Sequence, residues 1–294
     1  MKDSFVLGID IGGSHLTAAL VNETTRKFVP ESYTRMRVNS KGTAEEILST
    51  WSSAIADIFK THAVTGKRIG LAMPGPFDYE RGISLIKGLD KYEALYQLNV
   101  KQLLSEKLGI PVTSILMMND AACFLRGEVY YGAAKGYTDV IGITLGTGTG
   151  SATHHKGVTQ DANLGPSPFM DSIADEYFST RWFVKRYAAL SGNAVKDVKE
   201  LAGRYADDEH VKTVFSEFVK NLVVFLKGFV KTENPQLIVM GGNIAQSASL
   251  FLDELKAQLT AKGINIPVVT AQLGEEAAIL GAASLFENDH KTIL

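Results

Sequence analysis

The chain of 294 residues is poor in several things, and each shortage excludes a class of protein. It has one cysteine, Cys123, so it can form no internal disulfide and no metal site needing two thiolates, and a reducing compartment is its natural setting. It has no apolar run of bilayer length: the greasiest stretch, NLVVFLKGFV, is interrupted by Lys227 and falls short of the ~20 residues a span requires. It has no excess of charge, because 30 basic and 32 acidic residues leave a formal net charge of −2. No stretch of Lys and Arg is dense enough to neutralise a row of phosphates, so neither nucleic acid nor a membrane is expected as partner. The opening MKDSFVLGID enters a strand pattern without the apolar segment of a signal peptide. A soluble, cytoplasmic protein is expected. What the chain does have is 45% hydrophobic residues, enough for a large core.

The hydrophobic pattern alternates between strand and helix periods. FVLGIDIGGSHLTAALVN is two apolar runs around Gly12-Gly13-Ser14, the pattern of a glycine-turned hairpin, and a third strand is expected within KFVPESYTRMRV. Ala44 to His62 keeps helical spacing through Ile47, Leu48, Trp51, Ala54, Ile55, Ile58 and Phe59. A strand in RIGLAMPGP, a helix over 100–108 and a strand in VTSILMM follow, and the last runs into Asn119-Asp120. The second half opens the same way: DVIGITLGTGTGSATHHKGVTQ is β-rich around Gly146, Gly148 and Gly150. A helix then carries Val211, Val214, Phe215, Phe218, Leu222, Phe225, Leu226 and Phe229 on one stripe, read as core, with a share in a homodimer interface as the lesser alternative. QLIVMGGN reads as a strand, 247–262 as a helix, PVVTAQL as a strand and 275–286 as a closing helix. Two similar halves predict a duplicated α/β fold with a cleft between lobes. The first lobe is expected over 1–118, completed by the C-terminal helix in 275–294, and the second over 119–274 with a helical insertion.

Gly12-Gly13, Gly146 to Gly150 and Gly241-Gly242 each closely follow a strand. Glycine there allows close backbone approach, and exposed N–H groups can bind phosphate oxygens. The chain lacks Gly-x-x-x-x-Gly-Lys-Ser/Thr, and GTGTGS continues into a strand pattern, not a helix, which disfavours a Rossmann site. Asn119-Asp120 has two readings: a helix cap, or a carboxylate at the carboxyl end of a buried strand, where open α/β sheets bind ligands.

LGIDIGGSHLTAALV resembles the first phosphate motif of the ROK family of sugar kinases, MMNDAACFLRGE its catalytic motif, GITLGTGTGSA its second phosphate motif and IVMGGNIAQS its adenosine motif, in that order. The resemblance implies an actin-like ATPase-domain fold (ribonuclease H-like) of two α/β lobes with ATP and a hexose meeting in a central cleft. Carried over by position, it implies that Asp10, Gly12, Gly13 and Ser14 bind the phosphates, with Asp10 near Mg²⁺, an indirect contact. It implies the second phosphate loop at Gly146, Thr147 and Gly148, and the adenine-side turn at Gly241, Gly242 and Asn243. Gly75 and Asn119 are then sugar-binding and Asp120 both sugar-binding and catalytic. The family's Glu-x-Gly-His and zinc motifs are missing, so structural zinc is not expected. Matching Tyr177 and Ser179 to the family's Leu-Glu-x-Tyr-x-Ser puts Asp175 where a Glu contacts the sugar. The first strand begins near Phe5, so the DNA-binding module of the family's repressors is not expected.

Phosphoryl transfer from ATP needs positioning and charge neutralisation, and the sugar hydroxyl must lose a proton. Asp120 is the expected base, near its ordinary pKa of ~3.9. The product expected is glucose 6-phosphate. The alternatives are another hexose or an N-acetylhexosamine as acceptor, or a sugar-binding sensor without catalysis, motivated by the missing Glu-x-Gly-His. Asp175-Glu176 has the second reading of a solvated helix start. His154-His155 reads as a solvated hairpin turn and not a metal site.

Overall fold

The computed structural model describes residues 4–287 and resolves them into two units: 4–131 together with 275–287, and 132–274. In the first unit, β1 (Phe5–Ile11) and β2 (His15–Asn22) form the expected hairpin, with Asp10 opposite Thr17 and Ile11 opposite Leu16. The predicted third strand is two short ones, β3 (Lys27–Phe28) and β4 (Thr34–Arg37), both paired to β2 and separated by a turn that begins at Pro30. Proline interrupts the run because it cannot donate to a ladder. Helix α1 (Ala44–Thr61) starts in a Thr43/Glu46 capping box and buries all seven residues of its predicted stripe. Strand β5 (Ile69–Met73) lies parallel to β1, and the short pair β6 (Phe77–Asp78) and β7 (Ile83–Ser84) follows. Helix α2 (Val100–Leu108) has the predicted bounds because Asn99 caps one end and Gly109, at φ +62°, ends the other. Strand β8 (Ile115–Asn119) lies parallel to β5 and leads directly into α3 (Asp120–Tyr131).

The second unit repeats the plan. Strands β9 (Asp139–Leu145), β10 (Thr149–His155) and β11 (Val158–Asp161) form an antiparallel meander, and the small β12 (Pro168–Phe169) and β13 (Ser172–Ile173) pair follows. The helical segment comprises α4 (Asp175–Phe178), α5 (Thr180–Ser191), α6 (Val198–Arg204) and α7 (Glu209–Glu233). Helix α7 is capped by Asp208 and buries its whole predicted stripe in the unit's core, where Phe215 and Phe218 meet Phe183 and Phe251. Strand β14 (Leu237–Gly241) is parallel to β9, and β15 (Val268–Thr270), reached through α8 (Leu252–Ala261), is parallel to β14. The helix expected over 247–262 is broken, since 3₁₀ turns run from Ile244 to Leu250 and only then does α8 begin. The sheets have orders β3-β2-β1-β5-β8 and β11-β10-β9-β14-β15, so the same strand sequence is built twice. No described helix is long and apolar enough to cross a membrane.

The histidines are not in a turn. His155 ends β10, the turn is Lys156-Gly157, and His154 is buried with Nδ1 2.7 Å from Thr159 Oγ1. The His155 ring lies 2.9 Å from both Asp139 and Glu233, and the Asp139 bond, then the Glu233 bond, push its pKa above the ordinary value.

The chain returns to the first unit in α9 (Glu276–Ala283), which packs on β1, β5 and α3 through glycines. A Cβ on Gly8 would stand 2.2 Å from the Ile279 carbonyl oxygen, on Gly70 1.9 Å from that of Ala282, on Gly127 2.0 Å from that of Ala277, and on Gly281 1.8 Å from that of Cys123. Arg126 extends the contact by donating to Ser284 Oγ at 2.8 Å and to its carbonyl at 3.1 Å. Held this closely to α9, α3 belongs with the first unit, and the boundary lies at 131/132 where 118/119 was expected.

Candidate active site

Parallel pairing sets Asp10 level with Ala72 and, one strand further, with Met118, so the carboxyl ends of β1, β5 and β8 lie side by side. Those ends carry Asp10, the Pro74-Gly75 segment and Asn119-Asp120, and the Gly12-Gly13-Ser14 turn leaves from the first of them. Asn119 is the cap of α3. Its Oδ1 accepts from Ala121 N at 2.8 Å and Ala122 N at 3.1 Å, while its Nδ2 donates to Tyr79 Oη at 3.2 Å. Tyr79 Oη in turn donates to the Met73 carbonyl at 3.1 Å. Gly75 leaves room for this pair, because a Cβ there would stand 3.1 Å from Tyr79 Oη and 3.8 Å from Asn119 Nδ2. The cap role therefore falls to Asn119, and Asp120 begins the helix with Oδ1 2.9 Å from Ala121 N.

Asp120 does not keep the ordinary pKa expected of it. Burial pushes it up, against the opposing pull of the Ala121 N–H and the Lys91 charge. Asp10 is pushed to about 7 by burial, then by the charges of Asp120 and Glu275, with Arg35 acting the other way. Glu275 and Arg35 are themselves paired at 2.6 Å. Two crowded carboxylates whose anions repel one another are what a divalent cation relieves, and the Asp10 carboxylate accepts no hydrogen bond from a described residue. Gly13 and Ser14 are exposed, and the turn is pinned from below where Tyr92 Oη donates to the Gly12 carbonyl at 2.6 Å. Tyr79, Lys91, Tyr92, Glu275 and Arg35 went unread in the sequence. The loop that holds Lys91 and Tyr92 has no periodicity to single them out.

In the second unit the two remaining glycine turns are neighbours. Gly146, Thr147 and Gly148 connect β9 to β10, with Gly146 N donating to the Gly148 carbonyl at 3.0 Å. The Gly146 carbonyl accepts from Thr180 N at 2.7 Å, and Thr147 and Gly148 are exposed. Gly241 pairs with Thr144, and Gly242 sits at φ +86° where a Cβ would fall 2.3 Å from the Leu145 carbonyl oxygen. Glycine is thus required at 242 by conformation and by space. Asn243 follows it, exposed, at the start of the 3₁₀ turns. Asp175 is brought to this glycine loop: its Oδ1 accepts from Thr149 N, and a Cβ on Gly148 would stand 3.3 Å from that oxygen.

The ROK family model matches residues 6–166 and 174–289. An N-acetyl-D-glucosamine kinase of Mannheimia succiniciproducens is 26% identical over 95% of this chain and 98% of its own length. A glucokinase of Thermotoga maritima is 23% identical over 96% of this chain and 97% of its own. Among solved structures, a ROK family glucokinase from Streptomyces griseus in complex with glucose and AMPPNP superposes with a TM-score of 0.77 at 22% identity, covering 96% of this chain and 99% of the other. At that identity the likeness establishes the fold.

Proposed function

The chain belongs to the ROK family, and from that premise we propose that it is a kinase moving the terminal phosphoryl group of ATP onto a hydroxyl of a hexose. The observation that carries the reading is the row of strand ends in the first unit, where Asp10 at the end of β1 and Asn119-Asp120 at the end of β8 flank the end of β5 beside a pinned glycine turn. Asp120 accepts the proton of the attacking hydroxyl, and its raised pKa makes it a better base than an ordinary aspartate. Asn119 spends its Oδ1 on α3 and presents its amide to the polar group held with Tyr79, which orients sugar hydroxyls. The N–H groups around Gly12 to Ser14 bind phosphate, as do those around Gly146 to Gly148, and Gly241 to Asn243 take the adenine side. Mg²⁺ would be held on the Asp10 side, whose carboxylate accepts no hydrogen bond from a described residue, together with the substrate phosphates. It supplies charge neutralisation on the phosphates when bound.

Glucose is the acceptor we propose, reacting through its 6-hydroxyl. Relatives named as N-acetyl-D-glucosamine kinases make N-acetylglucosamine the competitor. ADP release measured over a panel of hexoses and N-acetylhexosamines separates these acceptors. The highest kcat/KM is expected with glucose. A better N-acetylhexosamine replaces glucose as the acceptor, and sugar binding without turnover on any member leaves a sensor instead of a kinase.

A further inference from the structure

A lysine stands beside the reacting groups without a structural task of its own. Lys91 is half-buried in the loop before α2, and it forms no hydrogen bond or ion pair with a described residue. Its Cδ lies 3.9 Å from where a Cβ would stand on Gly13, so the side chain runs over the first glycine turn, and its charge is felt by the Asp120 carboxylate. The backbone is held to put it there. Asp90 and Tyr92 on either side both have φ +55°, a left-handed conformation that is strained for a non-glycine residue and persists only when the surroundings enforce it. Both neighbours carry enforcing contacts. Tyr92 donates from its backbone to the Ser40 carbonyl and from Oη to the Gly12 carbonyl, each at 2.6 Å, with its ring edge-on to Trp51. Asp90 pairs with Lys41 at 2.5 Å and takes Glu93 Oε1 on its N–H at 3.1 Å.

On the kinase reading above, we propose that Lys91 is a catalytic residue whose ammonium, held over Gly12-Gly13, neutralises the phosphoryl group as it passes to the sugar. A bond from the sugar oxygen to phosphorus forms, the bond from phosphorus to the ADP oxygen breaks, and the hydroxyl proton goes to Asp120. Lys91 makes and breaks no covalent bond in this step and stabilises charge on the oxygens that do not change partners. Its class of ligand is therefore phosphate, and not the neutral sugar.

The test compares full-length wild type with Lys91→Met and Lys91→Arg in steady-state kinetics, alongside sugar affinity by calorimetry without nucleotide. For Lys91→Met, kcat falls by roughly 10²–10³-fold, the size of loss seen when one transition-state donor is removed. Sugar affinity stays at the wild-type value, and Lys91→Arg recovers part of the rate because it restores the charge. A wild-type kcat in Lys91→Met overturns the proposal, and so does a change confined to sugar affinity. Equal losses in the Met and Arg variants also overturn it, since the charge would then not matter. If the wild type itself turns over no sugar, the kinase reading fails and Lys91's role fails with it; an active wild type with an equally active Lys91→Met defeats Lys91 alone.

Discussion

Asp120 and Asn119 divide two jobs that the sequence left undivided: Asn119 caps α3, and Asp120 is the base we propose. Asp120→Asn is expected to lower kcat by about 10²–10⁴-fold, the range for loss of a general base, while calorimetric sugar affinity is preserved. An active Asn variant would disqualify Asp120 as the base. In the wild type the rate should fall as pH drops through an Asp120 pKa lying above the ordinary 3.8. Asp10 makes a different prediction. Its pKa rises from 3.8 to about 7 on folding, so its proton-linked stabilisation is complete below the unfolded value and is lost as pH rises through 7. The metal-free protein should therefore be less stable at pH 8 than at pH 6 by this group's account. Asp10→Asn should remove that loss, gaining on the order of 4 kcal/mol at pH 8 in a urea titration while losing activity. A pH-independent difference between the two proteins would contradict the assignment. Asp10, Asn119 and Asp120 were legible because each is a polar residue at or next to the carboxyl end of a buried apolar strand. Lys91, Tyr79 and Tyr92 were not, because only tertiary contacts bring their loops to those ends.

Among the elements, α1, α2 and α7 were legible because periodicity and caps agree, through Thr43 and Glu46, Asn99 and Gly109, and Asp208. Where the two signals part, reading fails. Residues 247–262 keep a helical pattern but kink at Ser247, and His154-His155 looked like a turn because two polar residues precede Lys156-Gly157, although His154 is buried and bonded to Thr159. Gly8, Gly70 and Gly127 gave no hint that they serve a helix far along the chain, or Gly281 that it faces α3 from within that helix; their common purpose is the close seat of α9. Gly281→Ala puts a methyl 1.8 Å from the Cys123 carbonyl oxygen, so α9 must shift from α3. A loss of about 3 kcal/mol or more is expected from denaturant midpoints, at the upper end for overpacking because the obstruction is backbone. Gly203→Ala, with open space around it, should cost nothing of the kind, and equal effects at both positions would refute the close-seat explanation.

For the whole molecule, two sheets with one strand order, each opened by a glycine-turned hairpin, express the duplicated actin-like ATPase-domain fold of the ROK family. The repetition was legible because both hairpins carry the same apolar–glycine–apolar pattern. The unit boundary was not, because α3 follows β8 in sequence but is claimed by α9, an interaction across the length of the chain. The account requires that phosphoryl transfer be directed to sugar and not to water. The direct measurement is ³¹P NMR of the wild-type protein with ATP and Mg²⁺, with and without glucose or N-acetylglucosamine. A phosphomonoester resonance growing only when sugar is present, faster than inorganic phosphate appears without it, is the result predicted; equal ATP consumption with and without every sugar, and no phosphomonoester, would contradict it.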